Sequence, residues 1–263
     1  MSIDKYSASS LQLYDKCAKK FYYNYIEKLP RKTWDHNALG HVAHSALEFF
    51  HKDYDGTQVL KELMAQSFKK ALKENKKECH DVDFFAVKKG KDVSDAMVAK
   101  NVLQDYLDKM RREGMPEGVV AIEKDFNFRL DGKYLLRGMI DRIDKVDGRY
   151  TIYDYKTSKS TKYMNDFQLS LYALWFFEAK ASENIDEVDA GYIMLRHKSI
   201  IIPYHFTKEG LESRKQEIFE RCESILAEEK WPKNPTILCN WCDFHEDEGG
   251  PCSGRRNEET WTV

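Results

Sequence analysis

The chain has 263 residues, 42% hydrophobic and 33% charged, enough for one large domain or a domain with sizeable insertions. Its 42 Lys and Arg against 44 Asp and Glu leave a net charge of −2, which excludes a global attraction for nucleic acid, so such a partner must be held by a local basic patch. No apolar run approaches the ~20 residues that span a bilayer and "MSIDKYSASS" has no signal region, so a cytoplasmic protein with reduced thiols and no membrane partner is expected.

The first element is "SSLQLYDKCAKKFYYNYI", where Leu11, Tyr14, Ala18, Phe21 and Tyr25 recur at helical spacing and Ser9 with Gln12 can form a capping box. A second helix is expected over "NALGHVAHSALEFFHKDY", with the stripe Leu39, Val42, Ala46 and Phe49. Two Lys-rich helices follow, at 57–77 and 94–113, around a loop at 78–93. The period then changes. "VVAIEKDFNFRL", "KYLLRGMIDRIDKV" and "RYTIYDYKTS", joined by Asp131-Gly132 and Asp147-Gly148, predict a three-strand meander, because Asp-Gly between alternating runs marks a hairpin. A helix at 165–180, a hairpin around "GYIMLRHKSIIIPYHF", a long helix at 207–230 stopped by Trp231-Pro232 and an irregular Cys-rich tail complete the chain. This order implies an α/β or α+β fold around a mixed sheet.

Alternation puts Tyr150, Ile152, Asp154 and Lys156 on one strand face, apolar at first and charged at its end. Leu135, Arg137, Met139, Asp141 and Ile143 share a face of the preceding strand, read as largely apolar. If the two strands pair through Asp147-Gly148, Asp141 and Asp154 are neighbours. Close carboxylates repel unless a cation lies between them, and a hard divalent ion prefers oxygen. Lys156 then stands beside the site, placed to stabilise an anionic transition state or help deprotonate water. His44, four residues before Glu48 on the second helix, can complete a metal sphere. Glu123 is a further candidate acid, and Gln168 and Tyr172, four apart, are candidates to hold a phosphate or base. His41 and His51 are expected on a solvated helix face. The basic runs at 69–77 and 88–91 are expected to be solvated, and the basic-aromatic "KCAKKFYYNYIEKLPRK" is the preferred nucleic-acid track, although Tyr14, Phe21, Tyr22 and Tyr25 are expected in the core rather than as a base-stacking platform.

Together these motifs resemble the RecB-like branch of the PD-(D/E)XK nuclease superfamily, which includes the AddB C-terminal nuclease and the four-cysteine nucleases of CRISPR adaptation. The pattern runs Gly40 to His44, Gly138 with Asp141, Asp154-Tyr155-Lys156, then Gln168 to Tyr172. Ile140 stands where the superfamily name has Pro. The resemblance implies one nuclease domain over 1–263, with a restriction-endonuclease-like mixed sheet flanked by helices. Its parts would be a helical region at 1–115, a catalytic sheet core at 116–206 and a helix with a cysteine tail at 207–263. It also implies that His44, Asp141, Asp154 and the Tyr155 carbonyl hold Mg²⁺ or Mn²⁺, that Lys156 orients or activates water, and that Gln168 and Tyr172 position the substrate strand. The expected activity is exonucleolytic cleavage of single-stranded DNA ends. No helicase segment is present, so a helicase or recombination partner would be another chain.

Cys239 and Cys242 form a C-x-x-C, and Cys252 follows. These three thiols fit zinc, redox chemistry or an iron–sulfur centre. The resemblance supplies Cys17 as a fourth ligand of a [4Fe–4S] cluster, although Ala18 replaces a frequent Pro and the gap before Cys252 is longer than usual. Cys79 and Cys222 are expected to be inert. Two readings from other classes stand beside the nuclease: a nucleic-acid-binding module without turnover and a zinc-stabilised scaffold.

Overall fold

The computed structural model describes residues 3, 5–31, 35–78, 83–87, 92–162 and 164–253. The chain forms two compact units. Met1–Lys32, Asn127–Gly138 and Glu212–Val263 make the first, and Thr33–Phe126 with Met139–Leu211 make the second.

One five-stranded sheet has the order β1-β2-β3-β4-β5: Val119–Leu130, Tyr134–Val146, Arg149–Lys156, Glu187–Met194 and Ile200–Thr207. The unit boundaries fall inside β1 and β2. The meander is as expected, and left-handed backbone at Asp131 and Asp147 (φ 47° and 49°) makes its tight turns. β3 is central, antiparallel to β2 with Arg142 opposite Tyr153, and parallel to β4 with Lys156 opposite Met194. The parallel pairing follows from the intervening helix α6 (Phe167–Ala179), which carries the chain back over the sheet.

In the second unit, α3 (Asp35–Asp53), α4 (Leu60–Glu78) and α5 (Asp95–Glu113) pack together on the sheet face that carries Tyr155 and Ile193. Leu39, Val42, Ala46 and Phe50 of α3 meet Leu103, Tyr106 and Leu107 of α5, the burial that the 3.6-residue stripe demands. The opposite face carries Ile152 and Asp154 and is covered by α6. There Phe176 packs on Tyr150 (4.9 Å between centroids), and Trp175 stacks on Phe126 (5.2 Å). Cys79, Lys32 and the basic run at 88–91 lie outside the described residues.

In the first unit, the element expected as one helix is three. α1 (Ala8–Lys16) stops at Cys17, whose backbone is extended (φ −166°, ψ 104°). Cys17 Sγ then accepts the N–H of Lys20 and starts α2 (Ala18–Phe21), followed by a π-helical turn over Tyr22–Ile26. The capping box is Ser7 with Ser10 rather than Ser9 with Gln12. The helix expected at 207–230 is shorter. α7 is Glu212–Ala227, because β5 runs on to Thr207 and a 3₁₀ turn over Glu209–Leu211 intervenes. The face holding Leu135, Arg137 and Met139 is not the apolar one. Arg137 and Met139 are exposed while Tyr134, Leu136 and Ile140 are buried, and only from Ile140 to Asp144 are both faces covered. Tyr6 bridges to Leu136 and Tyr134 packs on Phe219, which explains the side chosen. Among the described residues no helix is long and apolar enough to cross a membrane.

Candidate active site

All the proposed acidic, basic and amide groups lie in the second unit, around the end of β3. The β2–β3 ladder is last paired at Arg142–Tyr153, so the next residues on each strand are Asp141 and Asp154. Asp141 Oδ2 there accepts the backbone N–H of Tyr155 (2.5 Å). Asp141 Oδ1 lies 3.2 Å from His44 Nδ1, delivered by α3. Gly40, one turn earlier on α3, leaves room for Thr157, whose Oγ1 would stand 3.3 Å from an added Cβ.

β1 brings the third acid. Glu123 has a left-handed backbone (φ 49°), and Lys124 and Asp125 after it are both exposed, so the alternation breaks as at a bulge. One donor atom each from His44, Glu123 and Asp141 lie within 4.8 Å of one another. Burial, reinforced by the Asp141 charge, pushes the Glu123 carboxyl up to about 7. For His44, burial opposes protonation, but the adjacent Asp141 outweighs it and lifts the imidazole to about 9. An imidazole and two carboxylates at this spacing make a donor set for a divalent ion, which would relieve the repulsion between the acids.

Asp154 is 3% exposed and engaged on both oxygens. Oδ1 accepts from Gln168 Nε2 (2.8 Å) and Tyr172 Oη (3.1 Å), and Oδ2 pairs with Lys156 Nζ (2.6 Å). Lys156 also donates to Gln168 Oε1 (2.7 Å), and its ammonium lies over the Tyr192 ring (5.1 Å). Burial raises the Asp154 carboxyl, against the pull of Lys156. Gln168 and Tyr172, expected to face substrate, direct their polar groups to Asp154. The structure therefore gathers His44, Asp141 and Glu123 in one donor set and Asp154, Lys156, Gln168 and Tyr172 in a second, linked set. Tyr155 enters the first through its N–H.

His51 departs from expectation. His41 is exposed, but His51 Nε2 lies 2.7 Å from Tyr106 Oη. Burial, with the Arg142 charge adding, pushes the His51 imidazole down to about 3. Sequence reasoning also missed Arg142 and Asp144, a buried pair 3.0 Å apart. The signal was available: in "DRID" an Arg-x-Asp falls on one face of a strand with apolar neighbours.

The four cysteines meet in the first unit. Cys17, Cys239, Cys242 and Cys252 line one cavity of ≈110 Å³ with Tyr23 and Phe244. Burial pushes the Cys252 thiol up, Lys233 opposes this, and the charges of Cys242, Cys17 and Cys239 add to the rise. Cys252 returns to the group because the tail folds tightly. Its N–H donates to Phe244 O (2.9 Å), and a Cβ on Gly250 would stand 2.3 Å from the Phe244 carbonyl carbon. Cys222 lies apart, fully buried, its thiol pushed by burial up to about 12.

Comparison with known proteins gives consistent results. The family model described as the PD-(D/E)XK nuclease superfamily matches residues 5–246. The Gene 69 protein of Mycobacterium phage D29 is 34% identical over 133 residues, 49% of this chain and 47% of that protein. The Gene 69 protein of Mycobacterium phage L5 is 34% identical over 131 residues, 48% of this chain and 43% of that protein. The chain thus matches about half the length of these relatives. A candidate exonuclease from Eubacterium rectale, solved by crystallography, superposes with a TM-score of 0.53 over 91% of this chain and 87% of that one. At 12% identity this likeness concerns the fold alone.

Proposed function

Because the chain belongs to the PD-(D/E)XK nuclease superfamily, we propose that it is a Mg²⁺- or Mn²⁺-dependent deoxyribonuclease of the RecB-like branch, degrading DNA from single-stranded ends. The observation that carries the reading is the convergence of His44, Glu123 and Asp141 beside the Asp154–Lys156 pair. A bound divalent ion supplies an acidified water and offsets charge building on the phosphate. The chain's own residues do the positioning. Tyr155 N–H and His44 orient Asp141; Gln168 and Tyr172 hold Asp154; Lys156, half-buried and paired with Asp154, is placed to meet negative charge as it develops at the scissile phosphate. The basic-aromatic stretch "KCAKKFYYNYIEKLPRK" is the proposed track for single-stranded DNA through its lysines, because Tyr23 is buried and Tyr22 packs on Trp231. A helicase or recombination factor is the proposed partner.

The four thiols would hold a [4Fe–4S] cluster with a structural role. A tetrahedral zinc ion with Zn–S bonds of ~2.3 Å draws its sulfurs to roughly 3.8 Å of one another. The four thiols line one cavity, which either group could occupy, and the metal content decides between them.

The test is cleavage of end-labelled single- and double-stranded DNA with Mg²⁺, Mn²⁺ or chelator. Metal-dependent shortening from single-stranded ends is expected, and Asp154→Ala should abolish it while leaving DNA binding largely intact. Cleavage that survives Asp154→Ala overturns the site, and DNA binding without turnover under any metal marks a non-catalytic binding protein. An anaerobically purified chain should be brown and carry iron, whereas a colourless zinc protein overturns the cluster.

A further inference from the structure

Arg142 is 5% exposed and lies on the strand face opposite Asp141. It is held from several directions. Its Nη1 donates to Tyr106 Oη (2.8 Å) and Tyr155 Oη (3.2 Å), its Nε lies 3.0 Å from Asp144 Oδ1, and its guanidinium covers the Tyr153 ring (4.6 Å). Tyr106 Oη also lies 3.3 Å from Tyr155 Oη and accepts or donates to His51. A buried charge is costly, and well-packed apolar residues often replace a buried ion pair without loss of stability. Packing alone therefore does not explain a guanidinium here.

Tyr155 connects this network to the acids. Its hydroxyl lies within the Arg142 cluster, its backbone N–H donates to Asp141 Oδ2, and its ring meets the His44 imidazole edge-on (6.0 Å). Asp141 and Arg142 are adjacent on β2, as Asp154 and Tyr155 are on β3. The two carboxylates therefore occupy one face and the Arg142–Tyr155 contact the other, at the same place in the register. Movement of the Tyr155 ring would move both groups that orient Asp141.

We propose that Arg142 is the positioning residue of the acidic site, fixing Tyr155 from the opposite face of the sheet so that Asp141 and His44 are preset for a divalent cation. A guanidinium suits this role because it is a planar fork that reaches phenol oxygens and Asp144 at once, whereas an ammonium is a single point. The inference rests on the metal-dependent reading above.

The test is Mn²⁺ binding to the chelator-treated chain, followed by the electron paramagnetic resonance of free Mn²⁺, with thermal melting in parallel. Arg142→Lys and Tyr155→Phe should each weaken Mn²⁺ binding by about 10–100-fold while the chain still melts cooperatively. Leu107→Ala, in the same core, should lower the melting temperature and leave Mn²⁺ affinity within twofold. Arg142→Lys and Tyr155→Phe variants that fold and bind Mn²⁺ as the wild type does overturn the proposal. Should Arg142→Lys fail to fold, Tyr155→Phe decides, because it keeps the ring and removes only the hydroxyl. A wild-type chain that binds no Mn²⁺ overturns the metal-dependent reading itself, a distinguishable result.

Discussion

His51 shows what a single side chain's surroundings do to pH behaviour. Its imidazole sits against Tyr106 with the buried Arg142 guanidinium nearby, and its folded pKa of about 3 lies below the ordinary 6.5. As pH falls through 6.5 the unfolded chain takes up a proton that the folded chain refuses. The contribution of neutral His51 is therefore complete above pH 6.5 and is lost progressively toward pH 3, by up to ~1.4 kcal/mol per pH unit. His51→Gln keeps a polar partner for Tyr106 and cannot titrate. Urea melts between pH 4 and 7 should show a shallower decline in stability for this variant, and parallel declines would refute the assignment. Asp154 and Lys156 stand out in the sequence because charges at the end of an otherwise apolar strand face are conspicuous, whereas Asp141 was singled out on a face that the structure leaves exposed at Arg137 and Met139. The inward turn of His51 was not legible, since a helical repeat gives the face of a residue but not the phenol waiting opposite it.

At the level of elements, hairpin turns and amphipathic stripes carried most of the reading, because Asp-Gly pairs and periodicity are local properties. Strand irregularities and helix breaks were hidden. Nothing in "VVAIEKDF" announces that Glu123 takes a left-handed backbone, and the helical spacing from Leu11 to Tyr25 conceals the break at Cys17. The entry to β1 depends on Gly118, which has φ 64° and lies so close to β2 that an added Cβ would stand 2.0 Å from the Lys145 carbonyl oxygen. The same glycine's carbonyl accepts the Lys145 N–H (2.7 Å). Gly118→Ala should therefore displace the start of the strand and cost about 2–4 kcal/mol. Thermal melting should show this as a drop of roughly 4–16 °C; a change below about 1 °C would mean that the strand does not need this approach.

At the level of the whole molecule, contacts distant in sequence dominate. The first unit is built from three separate stretches of chain, and Cys17 meets Cys239, Cys242 and Cys252 across more than 220 residues. Loop-entropy arguments give a crosslink of that span up to ~5 kcal/mol. If these thiols hold the proposed [4Fe–4S] cluster, Cys252→Ser should remove most of the iron and lower stability by roughly 2–5 kcal/mol, read from iron analysis and melting of anaerobic protein. Unchanged iron and melting would show that Cys252 is no ligand. The three-stretch assembly also has a consequence for biosynthesis. At about 5–20 residues per second, the ribosome leaves Cys17 waiting roughly 10–45 s for Cys239 to be made. Any group that needs all four sulfurs can be inserted only after translation has passed Cys252, so it must be delivered to a chain whose early thiol has meanwhile been kept from oxidation.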